Sequence, residues 1–244
     1  MDEEAYARMG TQEENHWWFA ARRQIVARLI SKYCTLPSDP QILEAGCGTG
    51  GNLKLLNSFG KLDAFEFDET SRNTAQKKSG MIIPFGALPD EAPFPDRKYD
   101  LIVLLDVLEH IGPDQASLAA LDDMLKDGGR ILVTVPAMPW LWSKHDEVHH
   151  HFRRYTRNSL RVVAQAAGLE TERTSYFNFL LFPLAVIKRL SDYLLSSTDP
   201  DDKIPGPWLN SFLFRIFRIE RHLIGAIPMP WGLSLFTILK KQSD

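Results

Sequence analysis

Gln41-Ile42-Leu43-Glu44-Ala45-Gly46-Cys47-Gly48-Thr49-Gly50-Gly51 is a short apolar run that passes straight into glycines. Preceded by the breaker Pro37-Ser38-Asp39-Pro40, it reads as a buried strand followed by a tight loop. Glycines there let the chain turn sharply and let a ligand approach the backbone, as in nucleotide-binding loops. The same alternation continues downstream, with a helix over residues 49–59, a strand over 62–67, a helix over 70–78 and a strand over 81–85. Residues 99–105 form a further strand, five of whose seven residues are Leu, Ile or Val. Residues 114–126 place Leu118, Leu121, Met124 and Leu125 on one helical face, and Asp127-Gly128-Gly129 reads as the helix stop. Strand 130–135 follows, then a helix capped by Thr156 and ended by Gly168, strand 169–177, and a last strand within 231–240. Strands separated by helical patterns predict an α/β fold with a doubly wound, mostly parallel, seven-stranded sheet. Right-handed connections then put the ligand crevice at the carboxyl ends of the strands, beside the first glycine loop.

About sixteen residues beyond Gly50, the second strand ends in Phe65-Glu66-Phe67-Asp68, close to the interval at which such folds place the acid that accepts ribose hydroxyls. Glu66 is preferred over Asp68 because it lies nearer the strand end. The stretch from Ile42 to Gly50 resembles motif I of class I S-adenosylmethionine (SAM)-dependent methyltransferases. A dinucleotide dehydrogenase presents G-x-G-x-x-G at this point, whereas the loop here reads G-C-G-T-G after an acid. Further segments are similar to the same family. Phe94-Pro95-Asp96-Arg97-Lys98-Tyr99-Asp100 matches its strand-four entry, Leu105-Asp106-Val107-Leu108-Glu109-His110-Ile111 the exit of that strand, and Leu125-Lys126-Asp127-Gly128-Gly129-Arg130 the entry to strand five. The resemblance implies SAM as cofactor, with Glu44, Gly46, Cys47, Gly48 and Gly50 at its methionine and ribose side. It also implies Glu66 and Phe67 at the ribose, and Asp106 and Val107 beside the methionine group. Where many relatives carry an acid for the adenine, this chain has Phe85-Gly86-Ala87-Leu88, so adenine falls to backbone groups near Ala87 and Leu88 and to apolar packing.

The segment after strand five runs Val135-Pro136-Ala137-Met138-Pro139-Trp140-Leu141-Trp142-Ser143-Lys144-His145-Asp146, and continues to His149-His150-His151-Phe152-Arg153-Arg154-Tyr155. It leaves the carboxyl end of a strand, where substrates sit. Three consecutive histidines do not converge on one ion in a helix or strand, so no metal site is expected from them. The segment is similar to a family subgroup with an H-x-R-R-Y-T pattern, matched by His151, Arg153, Arg154, Tyr155 and Thr156. That subgroup also has an HWWF run near its N-terminus, here His16-Trp17-Trp18-Phe19. Methyl transfer asks the protein to align a nucleophile and take its proton, and neutral histidine is the natural base near pH 7. His145, oriented by Asp146 or another carboxylate, and His151 are the candidate bases, while Arg153 or Arg154 could hold an acidic acceptor. The alternative is that Arg153, Arg154 and Tyr155 tie the loop to the core.

The chain of 244 residues, with 44% hydrophobic and 24% charged residues, suits one soluble domain of ordinary composition. Its net charge of -3 gives no basic footprint for nucleic acid. Cys34 and Cys47 lie far apart, which fits a reduced, cytoplasmic setting, and the acidic N-terminus does not read as a secretory signal. No run reaches the roughly 18 apolar residues of a membrane-spanning helix. Within the single domain 1–244, residues 1–36 form an expected helical lid carrying Trp17 and Trp18, for which ordinary packing on the sheet is the alternative. Residues 178–230 form an expected helical cap inserted before the last strand. The cap pairs the apolar run Phe179–Ile187 with a second helix on which Leu209, Phe212, Leu213 and Ile216 oppose Arg215, Arg218 and His222. Either both helices bury their apolar sides on the core, or they form a pocket for a small-molecule or lipid-like acceptor with peripheral membrane contact. The competing functions are a nicotinamide (NAD)-dependent oxidoreductase and a SAM-binding module without turnover.

Overall fold

The computed structural model describes residue 13 and residues 15–195, 205–227 and 229–242. The first twelve residues and residues 196–204 within the expected cap lie outside the described residues. Six strands form one sheet: β1 (Gln41–Ala45), β2 (Lys61–Phe65), β3 (Tyr99–Leu105), β4 (Leu125–Pro136), β5 (Leu169–Phe177) and β6 (Ser234–Lys241). Their spatial order is β2-β1-β3-β4-β6-β5. β1 pairs in parallel with β2 and β3, and β3 with β4, whereas β6 runs antiparallel to both β4 and β5. β3 is buried along nearly its whole length, as its unbroken apolar run requires of a strand in the middle of a sheet. The helices are α1 (Trp17–Tyr33), α2 (Leu53–Asn57), α3 (Glu69–Ser79), α4 (Asp114–Asp123), α5 (Lys144–Val148), α6 (Arg157–Ala166), α7 (Phe182–Leu195) and α8 (Pro207–Leu223).

Two expectations need correction. Among the described residues the sheet has six strands rather than seven, because residues 81–85 contribute only a single parallel bridge, Phe85 to Glu66. Pro84 has no N–H to give to a ladder, and Ile82 is left almost fully exposed, so this segment touches the edge of β2 without extending it. The second concerns Asp127-Gly128-Gly129. The helix before it ends at Asp123, and β4 starts at Leu125 opposite Tyr99 before resuming with Arg130 opposite Leu101. Lys126–Gly129 therefore bulges out of the strand, with Gly128 at φ +77° and the Arg130 guanidinium bonded to the carbonyls of Gly128 and Gly129.

α1 buries Ala21, Arg22, Ile25, Val26, Leu29 and Ile30, a stripe at helical spacing that packs into the main core with the sheet. The cap expected over 178–230 leaves and returns at one point: Phe177 pairs with Ser234, and the Leu233 N–H donates to the Asn178 carbonyl. α8 lies along α1, where Phe217 meets Trp17 edge to face at 5.9 Å and the Asn210 side chain accepts from the Trp17 N–H at 2.9 Å. The buried Glu220 carboxyl accepts from the Leu180 N–H at 2.9 Å, which ties α8 to the turn after β5. Burial pushes that carboxyl up to about 7 against the pull of these backbone bonds. α8 is thus fastened both to the N-terminal helix and to the turn after β5.

Candidate functional site

A cavity of about 1300 Å³ opens at the carboxyl ends of β1, β2, β3 and β4. Its floor is the glycine loop. Gly46, Gly48 and Gly50 all have positive φ, at +76°, +54° and +87°. A Cβ on Gly46 would stand 2.9 Å from both methyls of Val107, so the loop and the β3 exit approach as closely as only glycine allows. Beside the loop, Glu66 leaves the end of β2 with one carboxylate oxygen accepting the Gly48 N–H at 2.7 Å and the other the Asp68 N–H at 2.9 Å. Burial raises its pKa, and the same backbone bonds oppose that rise. Asp68 is occupied elsewhere: its side chain caps α3 by accepting from Ser71 N–H at 2.7 Å.

Of the residues singled out for a cofactor, Gly46, Cys47, Gly48, Glu66, Phe67, Ala87, Leu88, Asp106 and Val107 line the cavity, and Glu44 and Gly50 lie behind it. Glu44 is fully enclosed, its Oε1 accepting from Asn52 at 3.0 Å and its Oε2 without a hydrogen-bond partner. Desolvation pushes this carboxyl up to about 8. Ala87 exchanges both backbone hydrogen bonds with Glu91. Phe67, largely exposed, faces Phe85 at 5.8 Å at the cavity mouth.

The opposite wall comes from the β3 exit and the segment after β4. Asp146 is completely buried and collects four donors: Arg154 Nε at 2.7 Å, His151 Nδ1 at 2.9 Å, and the Ser143 backbone and hydroxyl at 2.9 and 3.2 Å. Burial alone would raise the Asp146 carboxyl, but the bonds from His151 and Arg154 outweigh it and hold the group below the usual carboxylate range. Asp146 therefore holds His151 and not the adjacent His145, whose ring instead packs 4.2 Å from that of His149. His145, His151 and Arg154 line the cavity. Arg153 and Tyr155 do not. Arg153 pairs with Asp114 at 2.5 Å and Tyr155 donates its hydroxyl to Asp114 at 2.9 Å, so both tie the loop to the start of α4.

Glu13, Arg22 and Glu109 line the cavity outside the candidate set chosen from the sequence. Glu13 reaches over the glycine loop to bond Thr49 and to pair with Lys78 at 3.0 Å. Arg22, buried on α1, forms an ion pair with Asp106 and bonds Thr134 Oγ1 at 2.9 Å. Glu109 is buried beside His110, whose pKa is lowered to about 3 by burial and then by the neighbouring His151. The signal for Arg22 was there: it stands on the apolar stripe of α1 rather than between its members.

The chain is 27% identical over 169 residues to the Mycolicibacterium smegmatis protein named "Probable S-adenosylmethionine-dependent methyltransferase", covering 68% of this chain and 63% of the relative. A Mycobacterium tuberculosis protein of the same description is 27% identical over 124 residues, covering 50% and 43%. The match thus spans less than two thirds of either relative. Among solved structures, a SAM-dependent methyltransferase from Clostridium acetobutylicum superposes with a TM-score of 0.58 at 12% identity, over 92% of each chain. A chain of the Haloferax volcanii complex containing the Trm112 methyltransferase activator superposes with a TM-score of 0.62 at 15% identity, covering 99% of this chain and 96% of that one. At such identities these likenesses speak for the fold. The sequence match to the methyltransferase domain family runs over residues 16–174, from the start of α1 almost to the end of β5 and so through the glycine loop, Glu66 and the histidine segment; the chain belongs to that family.

Proposed function

We propose that this protein is a SAM-dependent methyltransferase whose cofactor lies over the loop Gly46–Gly50. The observation that carries this reading is the Glu66 carboxylate, held at the end of β2 by the Gly48 and Asp68 N–H groups and lining the cavity. Each of its oxygens keeps lone pairs for a diol. The loop fits the cofactor because Gly46 and Gly48 present bare backbone to the cavity, where a ligand can approach closely. When bound, SAM supplies an electrophilic methyl group. The chain's own work is then to orient the acceptor and take its proton. Asp146 fixes the His151 ring through Nδ1, leaving Nε2 as its remaining nitrogen on the cavity wall, and Arg154 completes that wall. Adenine falls to the apolar edge formed by Phe67 and Leu88, since the Ala87 amide is engaged with Glu91.

Calorimetric titration with SAM, S-adenosylhomocysteine and NAD tests the reading. The two sulfur compounds are expected to bind and NAD is not. Glu66→Ala removes hydrogen bonds to a charged acceptor, each worth about 1.5–3 kcal/mol, so SAM affinity should fall at least about tenfold in a folded variant. An unchanged dissociation constant removes the ribose assignment.

For the acceptor we propose a lipid-like molecule. Leu181, Leu184 and Ala185 of the α7 region and Leu209 and Leu213 of α8 line the cavity beside Trp17 and Trp18, with Lys188 and Arg189 at the same edge. Leu184, Ile187 and Leu190 share one face of α7 and remain 55–62% exposed. No helix among the described residues is long and apolar enough to cross a membrane, so the contact proposed is peripheral. The protein should float with anionic liposomes at low salt and be released as salt rises. Replacing Ile187 and Leu190 by glutamate should release it outright, and failure of the unmodified protein to float, with turnover confined to polar acceptors, leaves the cap as packing alone.

A further inference from the structure

We propose that Glu109, His110 and His151 form a site for one divalent metal ion of the zinc type on the acceptor wall of the cavity. A ligating atom from each of the three residues lies within 4.8 Å of the other two. A tetrahedral shell at zinc–ligand distances of about 2.0–2.2 Å spaces its donors roughly 3.4 Å apart, so a contraction of up to about 1.4 Å assembles the site. The donor set is two imidazoles and one carboxylate, which suits zinc and its neighbours better than magnesium or calcium.

Two independent features point to a ligand. Glu109 is 1% exposed, yet its Oε2 has no hydrogen-bond partner, which is costly for a buried carboxyl unless something outside the chain meets it. The second is how the rings are held. His151 gives Nδ1 to the buried Asp146, leaving its other ring nitrogen to ligate. Such outer oxygen partners are what orient metal-bound histidines. The two rings meet edge to face at 4.7 Å, and Phe152 N–H bonds the Glu109 carbonyl at 2.8 Å, joining the β3 exit to the histidine segment. All three residues line the cavity, so the fourth position faces an incoming acceptor.

The consecutive histidines misdirect a reading of the sequence. Only His151 of the three joins the site, and its partners come from forty residues upstream. A cation with an open position lowers the pKa of a bound hydroxyl, whose proton then leaves to solvent. In the loaded protein His151 is accordingly a ligand rather than the proton acceptor, and the acceptor class narrows to molecules that offer an oxygen.

The test is binding of Zn2+, and of Co2+ read by its visible absorption, to the metal-stripped protein without SAM, so its outcome is separate from that of the methyltransferase reading. One ion per chain is expected. His110→Gln and His151→Gln should each weaken binding at least about a hundredfold, and Asp146→Asn about 10–100-fold through the His151 ring. His222→Gln, exposed on α8 and not lining the cavity, should leave affinity unchanged. Circular dichroism selects the folded variants, and either histidine variant alone suffices. No stoichiometric binding, equal loss in His222→Gln, or tighter binding of Mg2+ than of Zn2+ overturns the proposal.

Discussion

His151→Gln is expected to lower turnover at saturating substrate by about a hundredfold or more while SAM affinity stays within about twofold. A hundredfold corresponds to about 2.7 kcal/mol of lost transition-state stabilisation. The expectation rests on the contact that separates the two histidine candidates. Asp146 bonds His151 Nδ1 at 2.9 Å and so fixes which ring nitrogen is left for chemistry, whereas the His145 ring packs against His149. His145→Gln should therefore cost less than about tenfold. The same loss at position 151 follows whether its imidazole takes the proton itself or holds a cation that acidifies the acceptor. Rates measured with labelled SAM and the acceptor recovered from a lipid extract decide it. Equal rates for the unmodified protein and His151→Gln would remove this residue from the reaction.

The glycine loop and Glu66 were legible because everything they need is local. A strand must end where its apolar run ends, and an acid at the close of the next strand falls beside the loop by the geometry of parallel pairing, Ala45 opposite Phe65. The edge segment 81–85 misled because its apolar content reads as strand, while the one residue that prevents pairing, Pro84, speaks through a missing N–H. The Asp127-Gly128-Gly129 stop misled for a related reason. Glycine at positive φ serves a bulge as well as a helix end, and only the partner strand tells them apart.

The partner of Asp146 was hidden by a backbone reversal. α5 ends at Val148 and His150 takes φ +54°, so the chain doubles back and His151 N–H reaches the Asp146 carbonyl at 2.9 Å. Nothing in a run of histidines announces which one adopts a left-handed conformation. The Glu109 and His110 contact is further still from local reading, since it depends on β3 and β4 lying side by side. Arg22 differs, because an arginine in line with Trp18, Ile25 and Leu29 on one helical face already asks for a buried acid, and Asp106 answers it.

Asp146→Ala should cost about 3–5 kcal/mol of stability, the effect of removing one partner from a buried charge pair. The side chain has no exposed surface, and it accepts from Arg154, His151 and both donors of Ser143. Removing it strands the Arg154 guanidinium, itself only 7% exposed and otherwise bonded to the Ala137 carbonyl at 3.2 Å, in a wall that admits little water. It also removes the capping box that starts α5, a further contribution of about 1 kcal/mol. Asp146→Asn keeps the shape but turns one acceptor into a donor facing donors, so it should recover only part of the loss. Adding Arg154→Met to Asp146→Ala removes the stranded charge and should recover more, although the His151 ring stays unheld and turnover stays low. Urea midpoints at neutral pH for the three variants give the comparison. A loss below about 1 kcal/mol for Asp146→Ala, or a double variant less stable than the single one, would show that the network is wetter than its burial indicates and that His151 is not held by it.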